Sequence, residues 1–141
     1  MPKSAKPRRK YRPAVLRSTP INMRFGQSTE TKLQLIPHDS LANFKAGRQV
    51  ESDWHTLAAR VNLGSVLAGE HFPDAGPVIE PALEALRTSW ERFGRLGRMG
   101  MTGEEYNAIA TALVLIDEMQ LKCTRRELDE AMTKVFKEAA R

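Results

Sequence analysis

The sequence predicts an all-α fold: a compact four-helix bundle, with one further short helix allowed, carried behind an extended basic N-terminal arm. Three observations predict it. From residue 40 onward the apolar residues recur with the period of about 3.6 that marks a helix, and no stretch alternates as a strand would. Two capping boxes, Thr102-Gly103-Glu104-Glu105 and Thr124-Arg125-Arg126-Glu127, announce helix starts in the C-terminal half. The first 29 residues hold eight basic side chains and no acid, since the first carboxylate is Glu30. The other 14 Lys and Arg sit among 17 Asp and Glu, so the formal charge of +5 is a basic arm joined to a body of net −3. Residues 1–27 read as the arm and residues 28–141 as the helical domain.

Taken in order, the arm comes first. Pro2, Pro7, Pro13 and Pro20 exclude regular helix and favour extended, polyproline-like backbone. Residues 28–50 read as an ill-defined lead-in, with Pro37 breaking the LQLI run and Asp39 or Ser40 capping a short LANFKAG turn. The first long helix is expected from Ser52 as N-cap to about His71, with Trp54, Leu57, Ala58, Val61, Ser65 and Ala68 on one stripe. Gly64, Ser65 and Ala68 keep that stripe small enough for another helix to approach closely. FPDAG ends it, and Pro77 opens a second helix whose Ile79, Ala82, Leu83, Leu86, Trp90 and Phe93 share a face. The third, roughly 103–121, is apolar on two sides and reads as the central helix. The fourth follows Thr124 with Leu128, Ala131, Met132, Val135, Phe136 and Ala139 in helical register.

Composition narrows the function classes. Cys123 is the only cysteine, so neither an intrachain disulfide nor a cysteine-cluster zinc site can form. AIATALVLI, Ala108 to Ile116, is the longest apolar run and is too short to span a bilayer. No hydrophobic region follows the basic N-terminus, so it does not read as a secretory signal, and a cytoplasmic protein without membrane partners is expected. His38, His55 and His71 lack HExxH or paired ExxH spacing, so no metal and no cofactor are expected; His55, four residues after Glu51, reads as a hydrogen-bonded helix residue. Cys123 precedes a helix cap that would mildly favour its thiolate, but no His neighbours it. GSVLAG is not a GxSxG elbow, and no catalytic residue is assigned.

The arm is the clearest functional feature. Lys3, Lys6, Arg8, Arg9, Lys10, Arg12, Arg17 and Arg24 suit phosphate contact, five of them as arginine forks, and Tyr11 can stack on a base. Six phosphate contacts on duplex DNA would give a slope of log K on log salt of about −5. Such contacts position a protein and do not read sequence. The same charge also suits a solubilising tail, a localisation signal or an arm that docks on an acidic protein.

Between the second and third helices, FGRLGRMGMTG places Gly94, Gly97, Gly100 and Gly103 every third residue, with Arg95 and Arg98 inside the spacing. A glycine loop before a helix can cradle phosphate, but the GxxxxGK[ST] spacing is absent, and an interhelical link with a C-cap at Gly94 or Gly97 is the simpler reading. Arg87, Arg95 and Arg98 would share a face if the second helix reached that far, extending a basic path or pairing with Glu91. The fourth helix carries Glu127, Asp129, Glu130 and Glu138, which argues against its insertion in a DNA groove.

KPRRKYRP, together with DWHTLAARVNLGSVLAGEHF, resembles small proteins of unassigned function encoded by proteobacterial phages and mobile elements. The resemblance covers Lys6–Pro13 and Asp53–Phe72 and brings no catalytic residues. It implies accessory DNA or RNA binding in replication or packaging, or inhibition of a host defence complex. The expectation is therefore a non-enzymatic nucleic-acid-associated protein, binding through the arm cations with Tyr11, Arg95 and Arg98. The alternative is a protein-interaction module or inhibitor whose arm docks on an acidic partner. The small face at Gly64, Ser65 and Ala68 and the all-round apolar third helix also allow a homo-oligomer.

Overall fold

A computed structural model describes the backbone of residues 27–139 and the side chains of residues 34–138. Within that span five α-helices follow one another without a strand: α1 Gln27–Ala46, α2 Glu51–His71, α3 Gly76–Leu96, α4 Gly103–Lys122 and α5 Arg125–Ala139. A 3-10 turn, Pro73–Ala75, joins α2 to α3. The all-α class is as the periodicity predicts. The lead-in, however, is a full helix of 20 residues rather than a short turn. Pro37 lies inside it and removes one backbone donor, at a cost of about 3 kcal/mol in an isolated helix. Tertiary packing offsets that cost, because Pro37, Ser40, Leu41 and Phe44 are all buried.

Helix starts follow local chemistry. Thr102 Oγ1 accepts from Glu105 N–H at 3.1 Å while the Glu105 carboxylate accepts from Thr102 N–H at 2.9 Å. Thr124 and Glu127 repeat the arrangement at 3.0 and 2.9 Å. Ser52 does not cap α2. The cap position is Val50, whose N–H donates to the Asp53 carboxylate at 2.9 Å, so the acid at the third helical position supplies the acceptor. Asn43 in α1 donates to the same buried carboxylate, tying the α1–α2 link to its helix.

Cross-helix pairs fix the topology. His38 of α1 meets Asp117 of α4, and Lys45 of α1 lies over the Tyr106 ring, so α1 and α4 run antiparallel. Trp54 meets Leu86, and Arg92 meets Glu105, so α3 opposes both α2 and α4. The result is an up-down-up-down bundle in which α2 touches all four other helices, with α5 packed on α2. Leu57, Val61, Leu67, Ile79, Ile109, Leu113 and Ile116 form its centre. Gly64 lets α4 approach α2 closely: a Cβ there would lie 2.4 Å from Ile116. The small residue is thus used inside one chain.

A buried polar junction crosses the same region. Arg60, 9% exposed, donates to Asp117 at 2.8 Å and to Gln120 at 2.6 Å, while Asp117 also holds His38 at 2.9 Å. One carboxylate therefore ties α1, α2 and α4 together. No helix among the described residues is long and apolar enough to cross a membrane.

Candidate nucleic-acid interface

The glycine-rich segment is built by the end of α3. Gly97 adopts φ +76°, the left-handed conformation that suits glycine, and its N–H donates to Phe93 O at 2.7 Å. It is the C-cap, whereas Gly94 lies within the helix and Gly103 is the first residue of α4. The four glycines therefore play different parts and form no cradle.

Loop carbonyls turn toward donors of the bundle. Ser89 Oγ donates to Gly100 O at 2.7 Å, Arg92 reaches the same oxygen at 3.3 Å, and Gln49 Nε2 donates to Met99 O at 2.6 Å. Arg92 also grips Glu105 through two bonds of 3.1 and 2.6 Å. Burial pushes the Glu105 carboxyl upward, but hydrogen bonds from Arg92 and Thr102 outweigh it and hold the group below the usual carboxylate range. The loop is an anchored link.

The arginines of α3 divide by role. Arg92 anchors the loop, and Arg87 pairs with Glu84 rather than with Glu91. Arg95 sits in the last turn, where its charge complements the helix C-terminus, whereas Arg98 follows the helix in the loop and so falls outside the helical face that carries Arg87. Both are exposed, and neither makes an ion pair or hydrogen bond among the described residues. They are the two predicted phosphate ligands whose positions are described. Lys3, Lys6, Arg8, Arg9, Lys10, Tyr11, Arg12, Arg17 and Arg24 lie outside the described residues.

The bundle also sets where the arm joins. Because α1 runs antiparallel to α2 and α4, Gln27 lies at the end that holds His71, Gly76 and Lys122. Arg95 and Arg98 lie at the opposite end, about 30 Å away along a 20-residue helix.

One group of side chains escaped the sequence reading. Trp54 packs half-buried against the core, as its stripe predicts, but Trp90 is 36% exposed, and the two rings lie 4.5 Å apart between centroids at the edge of the core. Phe93 continues from Trp90 at 5.5 Å, and His55 lies 5.4 Å from it. Trp54, Ala58, Leu83, Leu86 and Trp90, rimmed by Asn62, Arg87 and Glu91, line a cleft of about 320 Å³. A helical stripe says which side of α3 carries Trp90; it does not say where the neighbouring helix stops covering it. The available signal was that both tryptophans of the chain lie on adjacent helices at a level where they can meet.

Other candidates resolve into structure. Burial, then the charge of Glu127, raises the Cys123 thiol above its ordinary pKa, opposite to the mild activation expected of a helix start. Its Sγ–H donates to Gln120 O at 3.4 Å. His55 is the hydrogen-bonded helix residue expected, its partner being Glu51 at 3.3 Å, and His71 lies 3.7 Å from Glu127. Asp129, expected on the exposed acidic side of the last helix, is buried. No group of three or more His, Cys, Asp and Glu able to hold a metal ion occurs among the described residues. No protein-family model, curated protein or solved structure matches the chain.

Proposed function

We propose that this protein is a non-enzymatic nucleic-acid-associated module in which the helical bundle is the platform and the N-terminal cations supply the grip. The observation that carries the reading is charge segregation: eight Lys and Arg without one acid in the first 29 residues, against a body of net −3. Within the body most cations have intramolecular work, as with Arg60, Arg87 and Arg92, whereas Arg95 and Arg98 extend the set available to phosphate. Such binding is electrostatic and sequence-tolerant.

Fluorescence anisotropy of labelled duplex, single-stranded DNA and RNA at two salt concentrations tests it. The comparison is a full-length variant carrying Lys6→Ala, Arg8→Ala, Arg9→Ala, Lys10→Ala and Arg12→Ala. Native protein should bind with steep salt dependence, and the variant should flatten the duplex slope of log K on log salt by about 4.5. Absence of binding to all three nucleic acids defeats the reading and redirects the arm to an acidic protein.

A further inference from the structure

Resting on that reading, we propose that the Trp54–Trp90 cleft is a stacking site for an unpaired nucleobase, so that the strand held against the bundle is single-stranded. The chemistry of the cleft favours a base over a phosphate. Its floor is apolar and aromatic, and its charged lining, Arg87 and Glu91, sums to zero. A neutral π-surface fits such a lining, and a phosphate does not. Asn62 and Arg87 at the rim offer hydrogen bonds to base edges.

The site is also held in place before binding. The Trp54 indole N–H donates to Leu86 O at 3.0 Å, which fixes that ring, and Trp90 tilts 38° against it. A fixed platform loses less entropy on binding than a loose side chain. Trp90 lies about 9 Å along α3 from the helix end at Leu96. Phe93 extends the aromatic surface between, and Arg95 and Arg98 follow at that end. Aromatic faces for bases beside free cations for backbone is the arrangement that single-strand binding uses. In a duplex those base faces are covered, and exposing one costs a few kcal/mol.

Trp54 and Trp90 are the only tryptophans in the chain, and both line the cleft, so selectively excited tryptophan emission reports on this site. The full chain would be titrated with oligothymidylate and with a duplex of equal length, reading tryptophan emission and the anisotropy of the labelled strand in parallel. The single strand should quench emission over the same concentration range that raises anisotropy. Trp90→Ala should weaken single-strand binding by about 5- to 150-fold, the range for one lost stacked base, and narrow the preference over duplex. Trp90→Phe should restore most of the affinity and Trp90→Leu should not, which separates stacking from folding. Binding by anisotropy with unmoved emission and a silent Trp90→Ala overturns the cleft proposal and leaves the nucleic-acid reading standing. Failure of every strand to raise anisotropy defeats that reading itself. Quenching by a proline-rich peptide but by no oligonucleotide makes the cleft a peptide groove and overturns the proposal.

Discussion

Gly64 shows how a single residue sets the spacing of the bundle. A Cβ at this position meets Ile116 Cγ1 and Cδ1 at 2.4 and 2.5 Å, and Ile116 is fully buried. Gly64→Ala gains about 1 kcal/mol of helix propensity but forces an overpacked contact costing about 1–3 kcal/mol. A net loss of about 1 kcal/mol is expected in urea unfolding, and it should shrink in an Ile116→Val background, where one clashing atom is gone. An equal loss in both backgrounds would place the cause elsewhere. Glu105 makes the second residue-level case. Its folded pKa is lowered, so its contribution is present above the unfolded value of about 4.3 and is lost as pH falls through the folded value. Glu105→Gln should cost about 1–2 kcal/mol at neutral pH, through the lost charge-assisted bonds to Arg92 and Thr102. The same variant should flatten the acid limb of stability against pH. Urea midpoints measured on both sides of pH 4 decide it.

Among the helices, α1 separates what is local from what is not. Thr102–Glu105 and Thr124–Glu127 were legible because a capping box is closed within four residues, and both close as written. Pro37 carries an equally local signal, yet α1 passes through it because the deciding term is burial against α2 and α4, which is remote in sequence. This yields a prediction for the helix as a unit. Pro37→Ala restores a backbone donor worth up to about 3 kcal/mol while losing some ring packing, so a net gain of about 1–2 kcal/mol is expected. Ellipticity at the helical band should stay unchanged, because α1 is already continuous. A rise in ellipticity with the gain would instead mean that proline breaks the helix in solution. The same distinction explains the α2 start: Ser52 has the right chemistry for a cap, but Asp53 takes the Val50 N–H and sets the boundary two residues earlier.

For the whole molecule, the candidate interface was legible as charge and illegible as geometry. Arg95 and Arg98 were identifiable from the glycine spacing, but their distance from Gln27 depends on α1 being a full antiparallel helix, which Pro37 concealed. That geometry leads to a length-dependent prediction. The arm joins the bundle at one end and Arg95 and Arg98 stand about 30 Å away at the other. A strand of about four nucleotides covers about 14 Å at the stacked rise of 3.4 Å and stays short of 30 Å even when drawn out to about twice that rise, whereas about twenty nucleotides exceeds it. With the short strand gripped by the arm, Arg95→Glu plus Arg98→Glu should change affinity little. With the long strand the same pair should weaken binding and flatten the single-strand slope of log K on log salt by about 1.4, the contribution of two phosphates. Titrating a ladder of lengths against both proteins checks this, and the step should fall where the strand first spans the bundle. An equal loss at every length would mean that arm and loop converge on one site, which removes the separation along α1 from the binding mechanism.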